Sequence, residues 1–273
     1  MAIKIPVTDR VPTYPGRVKM VPVSGQANTY DLTRADLPIT EGTPINKALL
    51  DNKAYTLTES VTVYVSKSGS DTSGDGSSAA PFLTVQKAID SLPKILGSFH
   101  AQIDIAAGTY DERAVIDGFV GGRFTLGVAG RSVTLRGVTI MSSSDVRLAI
   151  SNLTYASGHT GTKLYMAYGS RALIISNLTI NVGSQQDYGI ALEHGSTLVA
   201  ANNIAVTVSN CGRAAVMATL GSLAAFNTIA GTGNTNFGLA ATYGGTVTYA
   251  SKTITGSSGD YSNSGGRILT GTG

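Results

Sequence analysis

Hydrophobic and polar positions alternate over short runs along most of the chain after residue 60, and this alternation predicts β-strands. Residues 61–65 alternate and are mostly β-branched, and residues 100–110 repeat the pattern before a Gly-containing turn. Beyond residue 100, short β-like runs are separated by Gly, Asn and Ser, and no helical spacing is present. The pattern therefore predicts an all-β fold for residues 101–273.

One segment departs from this alternation and predicts a helix at 84–92. Thr84 stands where an N-cap is needed, and Pro93 is placed to end the helix. The apolar residues follow helical spacing and form one stripe, made of Val85, Ala88, Ile89 and Leu92. We expect this helix to cover the open N-terminal end of the strands, where free edges invite unwanted pairing. Residues 60–100 thus form an opening region of strand, Gly/Asp loop and capping helix.

Residues 1–59 have a different character. They contain most of the eight prolines and little hydrophobic periodicity, which predicts extended chain with a short helix near 45–54. Such a segment has little core of its own, and we expect contact with another molecule to order it.

A repeat with a period of about 25 runs from about residue 145 to 250. The tetrapeptide Ser-Asn-Leu-Thr occurs at Ser151–Thr154 and again at Ser176–Thr179. An asparagine recurs at this interval, with a leucine four positions before it. The interval predicts two structural columns, made of Asn152, Asn177, Asn202 and Asn227 and of Leu148, Leu173, Leu198 and Leu223.

This period matches one turn of a parallel β-solenoid, in which successive turns stack about 4.8 Å apart. The leucines would fill the interior, and the asparagines would occupy bends where a left-handed backbone is tolerated. Residues between the interior positions should point outward, and they are largely apolar: Ala149, Ile174, Val199, Ala224 and Tyr249. We interpret this row as an interface between copies of the chain; the alternative is that the row is partly interior.

Composition excludes several classes of protein. Charged residues make up 14% of the chain, and the net charge is +3, without a Lys/Arg stripe that could follow a phosphate backbone. No apolar run reaches the length of a membrane span, and no secretory signal is recognised. The single cysteine, Cys211, excludes an internal disulfide and is expected to be a thiol in a turn or a buried thiol. We predict no nucleic-acid binding, no membrane insertion and no cofactor.

Two segments resemble known families. Residues 63–90 with 103–110 resemble the opening segment of right-handed parallel β-helix proteins of the pectate-lyase-like superfamily, which are common in bacteriophage tail spikes and fibres. Residues 12–50 resemble an N-terminal module of tail-appendage proteins from phages and prophages of Firmicutes. The resemblance implies a virion appendage that is made in the host cytoplasm, is attached through residues 1–59 to tail or baseplate proteins, and is usually a homotrimer contacting the host surface.

Few residues suggest catalysis. Hydrolysis of a glycan needs two carboxylates that face one substrate, and Asp187 and Glu193 are the nearest such pair, with Glu193 and Asp145 of a neighbouring turn as another option. A metal site is not expected, because the Asp71–Asp75 loop lacks the closing Glu of a calcium loop. Exposed tyrosines could stack on sugar rings, and the candidates are Tyr165, Tyr168, Tyr188 and Tyr243.

The sequence therefore favours a non-enzymatic, trimeric tail fibre or spike that binds a receptor, a glycan or a protein, on the host surface. A polysaccharide-degrading spike that uses Asp187 and Glu193 is the first alternative. A purely structural decoration or plug of the virion is the second.

Overall fold

The computed structural model describes residues 11–12, 18–22, 24, 30–34, 38–40, 56–154, 161–184 and 187–271. The chain divides into two compact units, residues 3–54 and residues 55–273. The helix predicted near 45–54 lies outside the described residues.

The N-terminal unit contains four described strands in two antiparallel pairs. β1 pairs with β4, and β2 pairs with β3 over five residue pairs. The extended chain predicted for residues 12–23 is confirmed for residues 12 and 18–22, which lie in strands. The strands are β1 (Val11–Pro12), β2 (Val18–Pro22), β3 (Tyr30–Arg34) and β4 (Pro38–Thr40).

The second unit is a parallel β-solenoid of about seven turns with about 24 residues each, which confirms the predicted fold. Its 19 strands form one continuous hydrogen-bonded sheet, and α1 (Val85–Asp90) is the helix of its described part. The strands are β5 (Val61–Val65), β6 (Ile95–Ile105), β7 (Gly108–Asp117), β8 (Val120–Gly127), β9 (Val133–Met141), β10 (Val146–Ala149), β11 (Asn152–Thr154), β12 (Leu164–Ala167), β13 (Arg171–Ile174), β14 (Leu178–Ser184), β15 (Ile190–Leu192), β16 (Thr197–Ala200), β17 (Ala205–Cys211), β18 (Ala214–Ala218), β19 (Leu223–Ala230), β20 (Phe237–Thr242), β21 (Thr246–Lys252), β22 (Tyr261–Asn263) and β23 (Arg267–Thr270).

The wound sheet has three faces. Face A stacks β5, β6, β8, β10, β13, β16 and β23 with the first parts of β19 and β21. Face B stacks β11, β14 and β17 with parts of β7, β9, β19 and β21. Face C stacks β12, β15, β18, β20 and β22 on the second parts of β7 and β9. Long strands such as β9 pass around a corner and belong to two faces.

Apolar side chains of all three faces point inward and fill the interior as stacked columns. In face A, Val146, Ala172 and Leu198 lie above one another and are buried. In face C the corresponding column is Val138, Leu164, Ile190, Val216 and Leu239, and all five are fully buried. Stacking of like residues on like residues keeps the apolar area out of water, which is the dominant favourable term in folding.

The helix α1 covers the N-terminal end of this interior, as predicted. Thr84 is its N-cap, and the Thr84 hydroxyl accepts a hydrogen bond from the Lys87 amide. The predicted apolar stripe is confirmed, because Val85, Ala88, Ile89 and Leu92 are buried.

The predicted leucine column is wrong by one position per turn. Leu148 pairs with Ile174, not with Leu173, because one turn here is one residue longer than the interval of the sequence repeat. A slip of one residue moves a side chain to the opposite face of its strand. Leu148 and Leu198 are therefore buried, whereas Leu173 and Leu223 are only half-buried and face outward.

The predicted outward row is corrected by the same register. Ile174 and Ala224 are fully buried in the interior, and Tyr249 packs against the core in the column of Phe226. Val199 and Ala149 do face outward, although neighbouring side chains bury Ala149. The alternative of a partly interior row is thus confirmed for the predicted set.

The predicted asparagine column is also wrong. Asn152 pairs with Thr179 across face B, so Asn152 and Asn177 are not stacked. None of the four predicted asparagines has a left-handed backbone, and Asn203, next to Asn202, has it instead. The Asn177 side chain accepts a hydrogen bond from the Ala205 amide of the next turn, at 2.9 Å. The corners differ in length from turn to turn, so a fixed sequence interval cannot stay in register on face B.

Candidate functional site

The corner between faces C and A has a regularly repeated backbone conformation. A residue with a left-handed backbone recurs there at positions 142, 168, 194 and 220, once in each turn and at a constant interval. Tyr243 and Ser264 continue the series in the last turns. From Tyr168 onward each is followed by a glycine that is also left-handed. We call the exposed side chains Tyr168, His194, Leu220 and Tyr243 the corner ridge.

The ridge backbone is held by hydrogen bonds along the solenoid axis. The Gly169 amide donates to the His194 carbonyl at 2.8 Å, and the Gly195 amide donates to the Leu220 carbonyl at 2.9 Å. The Gly221 amide continues the series to Tyr243 at 3.1 Å. Left-handed geometry costs an L-residue roughly 1–2 kcal/mol, and Leu and Tyr lack the short polar group that eases it in Asn. The ridge therefore stores strain at successive turns.

A column of buried serines lies directly behind the ridge. The Ser196 amide donates to the Ser222 hydroxyl at 3.1 Å, and the hydroxyls of Ser170 and Ser196 donate to corner carbonyls of their own turns, at 2.6 and 2.8 Å. Buried hydroxyls are costly unless they are bonded. These bonds fix the corner geometry. The column consists of Ser143, Ser170, Ser196 and Ser222, all nearly inaccessible to solvent.

The ridge side chains project into solvent. Tyr168 is 60% exposed and Tyr243 is 65% exposed, while Leu220 is 46% exposed. The rings of Tyr168 and His194 stack with centroids 5.1 Å apart and an interplanar angle of 21°. With turns about 4.8 Å apart, the four side chains form an apolar and aromatic strip about 14 Å long.

Two of the four predicted binding tyrosines thus belong to the ridge, and the others do not. Tyr165 lies beside it on face C, where its hydroxyl donates to Glu193 Oε2 at 3.0 Å. Burial and this hydrogen bond raise the pKa of Tyr165 to about 12. Tyr188 precedes β15, at the other edge of face C, and lies under the Arg213 guanidinium, 5.5 Å from the ring centre.

The structure does not bring the two predicted catalytic carboxylates together. Asp187 precedes β15 and Glu193 follows it, so mostly extended chain separates them by about 15–20 Å. Asp187 accepts a hydrogen bond from the Gly161 amide, and Glu193 accepts the Tyr165 hydroxyl. Asp145 precedes β10 of face A, whereas Glu193 follows β15 of face C, two turns further along the axis. Paired-carboxylate hydrolysis needs about 5–10 Å, which Asp187 and Glu193 exceed. Glu193 and Asp145 lie on different faces, so neither predicted pair is confirmed as a pair.

A buried cationic group lies near Asp187. Lys163 is fully inaccessible to solvent, and burial together with the Arg113 charge lowers its pKa to about 7. Cys211 is buried nearby, and burial raises the pKa of its thiol to about 12. The predicted buried thiol is confirmed. A thiol held protonated in this way is a poor nucleophile.

The carboxylates of the Gly/Asp loop bind main-chain amides. Asp71 Oδ1 accepts from the amides of Leu83 and Thr84, and Asp75 accepts from Ser77. Within the described ranges, no group of three or more His, Cys, Asp or Glu side chains is placed to hold a metal ion. No described helix is long and apolar enough to cross a membrane.

A second surface lies on the outer side of face A. Leu173, Val199 and Ala225 are aligned across β13, β16 and β19, and each lies between inward-facing residues of its strand. Leu223, Ile175 and Ala201 flank them and are also half-buried. We call these six residues the face A patch. The face A patch consists of residues that point outward in the observed register, and it takes the place of the predicted outward row.

The ridge was missed in the sequence, although a signal was present. The triplets Tyr168-Gly169-Ser170 and His194-Gly195-Ser196 stand at the same place on successive turns, and Leu220-Gly221-Ser222 follows at the same interval. This triplet repeat has the true turn length. The interval of the Ser-Asn-Leu-Thr repeat is one position shorter, and on face B Asn152 pairs with Thr179, two positions past Asn177.

Fold and surface together define a parallel β-solenoid with an exposed aromatic corner. Comparison with protein-family models, with curated proteins and with solved structures found no match. The resemblance to phage tail-spike and tail-appendage segments therefore stays a prediction from the sequence.

Proposed function

We propose that this protein is a non-enzymatic attachment module, a bacteriophage tail fibre or spike whose solenoid binds a glycan on the host surface along the corner ridge. The observation that carries the attachment role is the ridge itself: exposed aromatic and apolar side chains held on strained backbone at successive turns. The setting on a virion is supported by the sequence resemblance of the N-terminal half alone.

Strain supports a binding role, because residues in rare backbone regions persist where the surrounding structure holds them for a purpose. Asn or Gly would relieve the strain at these positions, yet Tyr168, Leu220 and Tyr243 carry large side chains that contact water. Aromatic faces combine apolar area with a polar rim, which suits flat ligands with hydroxyls on their edges, such as sugar rings. A linear glycan running along the solenoid axis would meet one side chain at each turn.

Self-association is the second part of the proposal, and the face A patch supports it. Six half-buried apolar residues form this surface: four lie on three adjacent strands, and two directly follow β13 and β16. Arg147 pairs with Leu173 at its N-terminal edge. Contiguous apolar surface of this kind is typical of protein interfaces. We propose that the patch joins copies of the chain in a homotrimer, with residues 1–59 bound to other tail proteins.

The experiment measures binding of the full-length protein to purified cell-wall glycans of candidate hosts, with the double variant Tyr168→Asn/Tyr243→Asn. Asparagine accepts the left-handed backbone, so the fold is retained while both rings are removed. We expect the double variant to bind at least tenfold more weakly than the wild type. Tyr261→Ala removes an exposed tyrosine of the last turns, outside the ridge, and should leave binding within twofold.

Equal binding by the double variant and the wild type would remove the ridge as the receptor site. Release of soluble sugar from any glycan would instead restore the polysaccharide-degrading alternative. Absence of binding to every host surface would favour the structural decoration.

A further inference from the structure

A groove of about 200 Å³ lies on the outer side of face A, on the N-terminal side of the face A patch. Strands β6, β8 and β10 form its floor, where Gly127 and Ala149 keep the surface low. Ligand sites for drug-sized molecules usually measure about 300–1,000 Å³, so this groove fits one small group. The polar side chains that line it are His100, Gln102, Arg123, Thr125 and Arg147.

Two arginines give the groove a positive character. Arg123 is exposed, and no ion pair of its side chain is found among the described residues. Arg147 has one acidic neighbour, Asp145, whose Oδ1 is 3.9 Å from Arg147 Nε, which is too far for a hydrogen bond. Asp104, the other nearby acid, forms an ion pair with Arg131, which does not line the groove. Asp104 therefore does not neutralise the groove arginines.

The Nε–H of Arg147 is buried and donates to no atom of the described residues. A buried donor without an acceptor is unfavourable, the more so when it belongs to a charged group. Buried donors of this kind are rare in folded proteins. The Arg147 side chain as a whole is 30% exposed and is one of those that line the groove. The guanidinium is a planar fork that matches a carboxylate or a phosphate.

His100 completes the lining as a neutral hydrogen-bonding group. Its Nε2 is 2.8 Å from the Thr125 hydroxyl, and burial together with the Arg123 and Arg147 charges lowers its pKa, against the opposing effect of Asp145. The ring therefore leaves the positive charge of the groove to the two arginines.

We propose that this groove binds the oxyanion of a small ligand or of a glycan substituent, with Arg147 and Arg123 holding its oxygens and with His100, Thr125 and Gln102 contributing hydrogen bonds. The shared chemistry is that of carboxylate and phosphate groups. The groove is separate from the corner ridge. The groove lies on the outer surface of the first strands of face A, and the ridge lies at the corner where face A begins.

The test is calorimetric titration of the full-length protein at low ionic strength with inorganic phosphate, glycerol 3-phosphate and D-glucuronate, and with D-glucose as the uncharged reference. We expect saturable binding of at least one anion and none of glucose. Glucuronate alone would identify a carboxylate ligand, and the two phosphates alone would identify a phosphate ligand.

Two variants locate the binding. Arg123→Gln removes an exposed charge and should not disturb folding, and Arg147→Gln removes the buried donor; each should weaken binding at least tenfold. Arg267→Gln removes an exposed arginine of β23, far along the same face, and should change binding less than twofold. Failure of all three anions to bind, or equal weakening by Arg267→Gln, would overturn the proposal.

Discussion

Single residues of the corner ridge combine exposure with an unfavourable backbone. Leu220 has φ 52° and an exposed side chain, so it gains neither from burial nor from its local geometry. Leu220 thus lowers the stability of the folded protein and adds nothing to the core. Selection for stability alone would have replaced such a residue. The ridge is thus better explained by what it contacts than by the fold.

This view predicts the effect of Leu220→Asn on stability. Because Asn tolerates the left-handed region, we expect the free energy of unfolding to rise by about 1 kcal/mol. Leu223→Asn makes the same chemical change shortly after it, on ordinary strand backbone, and should destabilise the protein. Denaturant unfolding of both variants measures the difference, and destabilisation by Leu220→Asn would contradict the strain at the ridge.

Lys163 predicts a pH dependence of stability. Its pKa is lowered from 10.5 to about 7 on folding, so between these values the unfolded chain binds more protons than the folded chain. The free energy of unfolding therefore rises with pH over this window, and the penalty is complete below pH 7.

Replacing this lysine by methionine, Lys163→Met, removes the titrating group. The variant should have a higher free energy of unfolding than the wild type at pH 7, and this difference should decrease by about 2 kcal/mol between pH 7 and pH 9. Chemical unfolding at both pH values measures this change, with Lys87→Met as the reference for an exposed lysine. If the difference in the free energy of unfolding between variant and wild type were the same at both pH values, the amine would stay charged in the folded protein.

At the scale of elements, the short helix α1 depends on carboxylates from outside it. Its first amides are all bonded: Thr84 N to Asp71, Val85 N and Gln86 N to Glu112, and Lys87 N to the Thr84 hydroxyl. Burial raises the pKa of Asp71, but hydrogen bonds from Thr84 and Leu83 outweigh it and lower the pKa below 3.8. The contribution of Asp71 to stability is therefore full above that value and is lost on acidification through the lowered pKa.

Glu112 joins this helix to β7 across the capped end. Glu112→Gln weakens two charge-assisted bonds of 2.8 and 2.9 Å, and we expect it to lower the free energy of unfolding by about 1–2 kcal/mol. Asp111→Asn changes the preceding carboxylate, which is largely exposed and 4.0 Å from Arg136, and should change stability by less than about 0.5 kcal/mol. Urea unfolding followed by circular dichroism compares them, and equal effects would remove the capping role.

The elements were predictable from the sequence, and their register was not. Alternation identified β5, and capping and stripe identified α1, because both signals are local. The predicted columns were wrong because successive side chains of a strand point to opposite faces, so an error of one residue reverses every side chain. The Ser-Asn-Leu-Thr interval is one position shorter than the turn that joins Leu148 to Ile174. Leu173 was therefore predicted to point inward, whereas it points outward. Corner lengths set the length of a turn, and they are decided by packing between turns. The Arg147 groove had no sequence signal, since its polar residues come from three separate turns.

For the whole molecule, the face A patch predicts an oligomer. Light scattering of the full chain should give three times 28.0 kDa, about 84 kDa. Val199→Lys places a charge in the centre of the patch and should give monomers, because an unpaired charge is costly in an apolar interface. Thr179→Lys adds the same charge to exposed face B and should remain trimeric. A monomeric wild type would leave the patch without a partner copy.

The serine column behind the ridge makes the successive corners at Tyr168, His194 and Leu220 equivalent to one another. Removal of residues 169–194 would join Tyr168 to Gly195 and recreate the same corner triplet, with Ser196 in the place of Ser170. Face A would close with Val146 above Leu198 instead of Ala172, and both are core residues. The solenoid can therefore be shortened or extended by whole turns, each about 4.8 Å along the axis. Such a change keeps the existing corner structure.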